Sequence, residues 1–549
     1  MLKKRHPHKT NVLLVNITRL GDMLQATPTI AGMKQENPDC KVTVLVEKQF
    51  AEVCHNLPYI DEVMSLDLGM TVRSLVREQD GIIDAYEYIN ECVQDLRSRK
   101  FDYCLNMSSS AYTALLLKLI GIERNGGWTS DDEGYRVIES EWARLFASSV
   151  FHQNRQYNAL NLVDVFRCSA DVDQHPQKLM IQINPEAQNY VRNLISEHAF
   201  TNRGPLISIQ AGASQGKRQW NPTKFVNLIT ILLDKLQARI VLTGTKKELD
   251  IINPIKAGCN SENVMVAAGR TNIPQLAALL QESDLLITGD TGPMHISVAA
   301  GTPVVSMFLA SAFGFETGPY SEGNIVLQPV ISCGPCNPNK PCARPDCHDH
   351  ISPELVAELA VMRLKDDFKA LPEHLKEIKD VIIYRSKFDE FGFCDLEALN
   401  QSNLDSIEPY RRAYRKMWLD DLGGFPQQQY ESQNGKSSLS IVRHSIEGLE
   451  QVLDLAKKGR SLIQKLIQLV KDTNSSAQAL GDVSNALTEN DRKIEQLGFH
   501  HAPLGPVTRM FVFAKENISG TDALVLASQM EEIYAGLERR SNKLAHYLN

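Results

Sequence analysis

The chain has 549 residues, 43% of them hydrophobic and 23% charged, with a formal net charge of −8. That is the composition of a globular protein long enough for roughly three to four domains at ~150 residues each, and its acidic balance gives no global reason to bind nucleic acid. No apolar run approaches the ~20 residues that span a bilayer, and the basic start, residues 1–10, leads straight into a strand pattern rather than a signal peptide. The expected location is the cytoplasm. Lys3, Lys4 and Arg5 leave open a peripheral contact with an anionic membrane surface, against the plainer reading of a solvated tail.

In chain order, residues 11–15 read as a buried strand, 17–22 as the turn after it, and 23–37 as a helix. Strands follow at 41–46 and 102–106. The pattern weakens after about residue 173, and 185–199 reads as a linking helix. A second set begins at 206–210, with further strands at 239–244, 263–267, 285–288 and 304–308 and helices at 223–236, 273–281 and 294–300. Short apolar strands alternating with helices predict parallel sheets. The predicted fold is α/β, two successive Rossmann-like units facing a cleft, the build of a GT-B nucleotide-sugar transferase. The units are 1–185 and 200–365. From residue 366 strand signals fade. Residues 427–438 are a polar loop, and apolar residues then recur at helical spacing: Val442, Ile446, Leu449, Leu453 and Ala456, then Ile463, Ile467 and Val470, and finally Leu526, Met530, Ile533 and Leu537. Residues 366–549 are therefore expected to be a mainly helical extension, either a bundle folded on itself or a surface for homo-oligomerisation or partner docking.

Five clusters could carry chemistry. Arg19, Gly21 and Asp22 follow the first strand; a carboxylate there can take a proton from an attacking hydroxyl, although Gly-Asp after a strand is also an ordinary helix start. The loop 210–222 has small residues that admit an anion, Ser214 as a hydroxyl donor, and Lys217 and Arg218 to neutralise a diphosphate. In the loop 244–248, Glu248 can accept from ribose hydroxyls or serve as an acid at a helix start. At 289–295 the amides of Asp290 to Gly292 can form an anion nest, Thr291 adds a hydroxyl, and His295 lies one turn on. The Asp290 carboxylate is poorly suited to a phosphate and is expected to orient a hydroxyl, an amide or His295. Cys333, Cys336, Cys342 and Cys347 have the density of a structural zinc or iron site, with free thiols or occasional disulfides as the alternative.

Four of these segments, RLGDMLQATPTI, IQAGASQGKRQWNPTKF, TGDTGPMHISVAAGTPVVSMFL and CGPCNPNKPCARPDCHDHISPELV, occur in an order that resembles glycosyltransferase family 9, the bacterial heptosyltransferases of lipopolysaccharide core, over about residues 11–365. The resemblance implies a GT-B fold and inverting transfer of a heptose or related sugar from an ADP-sugar to a lipopolysaccharide-core or other glycan acceptor. It implies that Asp22 is the general base with Arg19 and Gly21 on the acceptor side. It places Arg218 and Lys217 at the phosphates, Glu248 near the ribose, and Asp290, Thr291, Gly292 and His295 at the sugar-diphosphate. Protein cations can neutralise the leaving group, so no cofactor is expected for catalysis. Two departures stand out: an extra residue before Trp220 leaves Lys217 and Arg218 as competing phosphate ligands, and Pro293 removes an amide donor. Two rival functions are a protein O-glycosyltransferase whose extension recruits a polypeptide acceptor, and a catalytically silent nucleotide-sugar-binding scaffold.

Overall fold

The computed structural model describes residues 10–548 apart from 18, 78–79, 151–152, 174, 335, 338, 343, 369–370, 401–406, 426–438 and 473, with the backbone alone for 439–446. Lys3, Lys4, Arg5, the polar loop 427–438 and the side chains of Val442 and Ile446 lie outside these residues. No described helix is long and apolar enough to cross a membrane.

The chain forms two compact units. The first comprises Met1–Ser108, Leu119–Arg124 and Leu160–Leu404; the second comprises Ser109–Lys118, Asn125–Ala159 and Asp405–Asn549. The predicted strands of both α/β sets fall in the first unit, while residues 109–118 and 125–159 of the predicted 1–185 domain belong to the second. Strands β1 (Asn11–Val15), β2 (Lys41–Glu47), β3 (Glu62–Leu66) and β4 (Tyr103–Asn106) lie parallel in the order β3-β2-β1-β4. Strands β5 (Asn125–Ser130) and β6 (Arg136–Ile138) form an antiparallel pair in the second unit. Six parallel strands make most of the second sheet of the first unit: β7 (Leu206–Gln210), β8 (Arg239–Thr243), β9 (Val264–Val266), β10 (Leu285–Gly289), β11 (Val304–Met307) and β12 (Ile325–Pro329). Their near-continuous apolar runs are what a sheet covered by helices on both faces requires, and Ile207, Ile209, Ile240, Leu242, Ile287 and Val305 are fully buried in its core.

Two features depart from the sequence reading. The sheet does not end near residue 366: β13 (Val381–Phe388) pairs antiparallel with β12, and β14 (Cys394–Ala398) with β13, giving the order β14-β13-β12-β11-β10-β7-β8-β9. The Val-Ile-Ile-Tyr start of β13 is too short a run to stand out in a charged stretch, and its partner lies more than fifty residues upstream. The helix Pro185–His198 does more than link the two sets. Ala187, Val191 and Leu194 pack on Leu206, Val241, Met265, Ala278 and Leu279, so it covers a face of the second sheet.

A buried polar network also ties this unit together. Asp164, with a fully buried side chain, accepts from Arg167 Nε at 3.1 Å, from the Tyr320 hydroxyl at 2.9 Å and from the Cys394 amide at 2.9 Å. Arg167 stacks over the Phe393 ring at 4.1 Å. His175 Nε2 lies 3.0 Å from the same tyrosine hydroxyl, and burial together with the Arg167 charge pushes its pKa down to about 4.

In the second unit, the helices Glu408–Gly423, Leu439–Lys471, Ala477–His500, Gly505–Glu516 and Ala523–Leu548 pack with residues drawn from 109–159. Arg411 and Arg415 donate to the carbonyls of Gln156 and Ala159, and Asn517 exchanges hydrogen bonds with Ile138. The extension therefore shares a core with a stretch of the amino-terminal half, where the sequence suggested a separate domain. The buried stripes are Leu449, Val452, Ala456 and Ile463 on one helix and Ala527, Tyr534, Leu537 and Leu544 on another. They sit partly out of phase with the predicted positions, and Gly459 lets the Tyr534 ring lie against the helix backbone: a Cβ on Gly459 would fall 2.1 Å from the ring.

Candidate active site

Parallel strands deliver their following loops to one edge, and strand order decides which loops meet. In the second sheet β11, β10, β7 and β8 are consecutive neighbours. The loops after them carry Ser311, Asp290, Arg218 and Glu248, in that order along the edge. Residues far apart in the chain thus become adjacent.

Arg218 is the centre of this cluster. Its Nη1 donates to Asp290 Oδ2 at 3.0 Å, and its Nε and Nη2 donate to the Ser311 hydroxyl at 3.0 and 2.9 Å. Thr317 donates to the other Asp290 oxygen at 3.1 Å. Both charged side chains are nearly nine-tenths buried. The Asp290 carboxylate therefore orients a guanidinium, an option the sequence did not suggest. Each partner fixes the next, leaving a rigid cation beside the start of the helix Gly292–Ala300, where a guanidinium can recognise phosphate. Thr288 and Thr291 pair through their hydroxyls at 2.9 Å.

Lys217 takes a different direction. Its ammonium donates to the carbonyls of Asn337 and Lys340 at 2.8 and 2.9 Å, and its own carbonyl lies 2.9 Å from His348 Nε2. It anchors the cysteine-bearing loop, while its neighbour faces Asp290. Ser214 is exposed on the same loop.

Glu248 closes a capping box with Thr245, accepting from its amide at 2.6 Å and its hydroxyl at 2.8 Å, and also accepts from Gln210 at 3.0 Å. The helix-start role is thus realised. The carboxylate lies so close to the loop after β7 that a Cβ on Gly212 would stand 1.8 Å from its Oε1, so the small-residue loop and the acid are fitted to each other.

On the first sheet, the helix Leu20–Glu36 begins earlier than the sequence suggested, so Gly21 and Asp22 lie in its first turn. Thr18 lies outside the described residues, and Arg19 is the exposed residue before the helix. The preceding loop is held by the Ile17 amide donating to Ser108 at 2.9 Å and the Ser108 amide donating to Asn106 at 3.0 Å. The start of this helix packs on the start of Gly292–Ala300: a Cβ on Gly21 would stand 2.8 Å from His295 Cδ2 and one on Gly292 3.1 Å from Leu20. The turn that carries Asp22 and the loop that carries Asp290, far apart in sequence, are so brought to one place.

His295 is 5% exposed. Burial pushes its pKa down to about 4 against the opposing pull of Asp290, so the ring is neutral at pH 7. Its Nδ1 has no hydrogen-bond partner among the described residues.

The cysteines do not form the expected metal site. Cys333 and Cys342 are exposed, Cys336 is half-buried and Cys347 points into the core of the second sheet; all four are free. Among the described residues no group of three or more His, Cys, Asp or Glu side chains could hold a metal ion. The structural zinc or iron is not supported.

Ser311 and Thr317 carry no motif and escaped the sequence reading. Their only signal is position, Ser311 in the loop after an apolar strand and Thr317 in the short turn that follows it.

Residues 89–345 match glycosyltransferase family 9 (heptosyltransferase). Lipopolysaccharide heptosyltransferase 3 of Escherichia coli is 27% identical over 296 residues, covering 53% of this chain and 81% of that protein. Lipopolysaccharide heptosyltransferase 2 of E. coli K12 is 22% identical over 327 residues, covering 58% of this chain and 87% of that protein. The crystal structure of a family 9 glycosyl transferase from Veillonella parvula superposes with a TM-score of 0.51 at 20% identity, over 65% of this chain and 98% of that one. The fold of the first unit is thus the GT-B type.

Proposed function

We propose that this chain, a glycosyltransferase with a family 9 domain, moves a heptose or closely related sugar from an ADP-sugar to a lipopolysaccharide-core type glycan. The observation that carries the reading is the pre-set Arg218–Asp290–Ser311 cluster beside a helix start onto which the Asp22 turn packs. A fixed cation at the place where negative charge develops lowers the barrier because it needs no reorganisation during the reaction. The acceptor hydroxyl lies over Asp22, whose carboxylate takes its proton as the oxygen attacks the anomeric carbon from the face opposite the nucleotide. The bond to the diphosphate breaks, and the leaving group's charge is met by Arg218 and by the amides at the start of Gly292–Ala300. The Lys217 ammonium is committed to the carbonyls of Asn337 and Lys340, which favours Arg218 for the phosphate role.

The donor is identified by a thermal-shift panel of ADP-, UDP- and GDP-sugars. In turnover, Asp22→Ala should lower transfer by about 10²–10⁴-fold while leaving ADP-sugar binding within a few-fold of wild type. Retained turnover, or donor binding lost in step with turnover, would sink the assignment.

A further inference from the structure

Residues of the loop after β7 and of the cysteine-bearing loop line an open cleft of about 850 Å³, a size within the ~300–1,000 Å³ range of ligand sites. Lys217 lines it; Arg218, Asp290, Ser311 and Glu248 do not. Lys217 and Arg218 are consecutive, ~3.8 Å apart along the backbone. One thickness of loop therefore separates the cleft from the cluster that faces the phosphates.

The lining is rich in side-chain amides and holds no carboxylate. Gln215, Gln219, Asn221 and Asn339 supply four carboxamides, with Lys217, Lys340 and His348 beside them. The side chains of Gln215, Gln219, Asn339 and Lys340 make no hydrogen bond or ion pair among the described residues. Asn221 spends its oxygen on the helix Pro222–Leu236, accepting from the Thr223 amide at 3.0 Å and the Thr223 hydroxyl at 2.8 Å, which leaves its NH2 group as a donor. Gln215 is the anomaly among them: its Oε1 is shut off from water and meets no donor. A buried acceptor without a partner is a standing cost to the free protein, and a ligand that donates to it removes that cost.

We propose that this cleft binds the acceptor glycan beyond its reacting sugar, with an acidic or phosphorylated sugar at Lys340. The proposal rests on the reading of the acceptor as a glycan. A carboxamide presents a donor and an acceptor side by side, which matches neighbouring sugar hydroxyls. The Lys340 ammonium supplies the charge for an anionic substituent. The nearest acids along the loop, Asp346 and Asp349, stand outside the lining, and Asp349 lies 3.6 Å from Lys224. A polypeptide would need an open strand edge or apolar pockets for anchoring side chains. No lining residue lies in a strand, and the apolar lining is Pro222, Pro341, Pro345 and Cys342. The loop after β7 would thus serve both substrates, the donor diphosphate on its Arg218 side and the acceptor chain on its Lys217 side.

The test is calorimetric titration of the full chain with a delipidated lipopolysaccharide-core oligosaccharide, beside turnover of that oligosaccharide and of its terminal monosaccharide. Gln219→Ala/Lys340→Gln should lose about tenfold or more in oligosaccharide affinity and raise its KM, with circular dichroism, kcat, donor binding and the KM of the monosaccharide unchanged. Gln215→Met removes the orphaned acceptor, so it should raise the melting temperature of the free protein while weakening the oligosaccharide. Failure of wild type to bind the oligosaccharide, undiminished binding by the double variant, or equal KM increases for oligosaccharide and monosaccharide overturns the proposal. So does a Gln215→Met protein that melts lower and binds as wild type. Tighter binding of hexaglutamate than of the oligosaccharide also overturns it and makes the cleft a site for a protein acceptor. Oligosaccharide binding without turnover sinks the catalytic reading alone; turnover that the variants leave untouched sinks this proposal alone.

Discussion

Gly21→Ala separates two views of the Asp22 turn by the sign of one number. Gly21 has ordinary helical geometry in the first turn of Leu20–Glu36, so adding a methyl group should by propensity alone stabilise the protein by about 0.5–1 kcal/mol. The structure reverses that sign. The new Cβ would stand 2.8 Å from His295 Cδ2, and the ring is buried and cannot swing to solvent. Overpacking of this kind costs about 1–3 kcal/mol, so the propensity gain is cancelled or exceeded, with a net destabilisation of up to about 2.5 kcal/mol. The strain relaxes by moving the helix start that carries Asp22, and a misplacement of the order of 1 Å can lower turnover about 100-fold. Urea denaturation followed by tryptophan fluorescence measures the first effect; turnover at saturating donor measures the second. His295→Ala supplies the control. The methyl group added at position 21 should fill part of the space the imidazole leaves, so the double variant should be more stable than the sum of the singles predicts, by about 0.5–3 kcal/mol. A stabilised Gly21→Ala protein, or strictly additive losses in the double variant, would refute the contact and with it the juxtaposition of the two helix starts.

Three further outcomes follow from the same geometry. Arg218→Ala should weaken ADP-sugar binding about 10–100-fold by calorimetry, the effect of removing a charged hydrogen-bond donor. Lys217→Ala should change that binding less than threefold, since its ammonium is committed to Asn337 and Lys340; equal losses would refute the assignment. Asp164→Ala should destabilise the first unit by about 3–5 kcal/mol, because it leaves the Arg167 charge buried without its partner; a melting temperature within a degree or two of wild type would contradict it. Acid should also destabilise this unit. His295 and His175 titrate near 4 when folded against 6.5 ordinarily, so between these values the unfolded chain binds more protons. Stability is full above pH 6.5 and falls as pH drops toward 4, by up to about 3 kcal/mol per histidine. Thermal melts across that range should show the slope, and His295→Gln should flatten it; an unchanged slope in that variant would refute its origin there.

Much of the fold is legible in the chain read segment by segment. Strands β1, β2, β7, β8, β10 and β11 are continuous apolar runs bounded by turns, a local pattern that needs no partner to be read. That Asp22, Arg218 and Asp290 stand in segments following strands was legible because glycine and charge after an apolar run mark the edge of a parallel sheet, although the Arg218–Asp290 pair was not. The helical character of residues 439–548 was equally plain from spacing, although the buried face differs from the predicted one. β13 and β14 were not legible, since what stabilises them is antiparallel pairing with β12 rather than their own composition.

Which residues touch was settled by the tertiary structure alone. Arg218 and Lys217 are chemically alike and adjacent, yet the backbone turns one toward Asp290 and the other toward the cysteine-bearing loop. Ser311 and Thr317 became visible only when strand order set β11 beside β10. The cysteines, dense in sequence, differ in exposure, with Cys347 buried and Cys333 and Cys342 at the surface. The Gly21–His295 contact joins opposite halves of the first unit, and no local pattern encodes it. Periodicity and residue type record what a segment must bury or expose; the partners it buries against come from the order of strands and the paths of loops, which are properties of the whole chain.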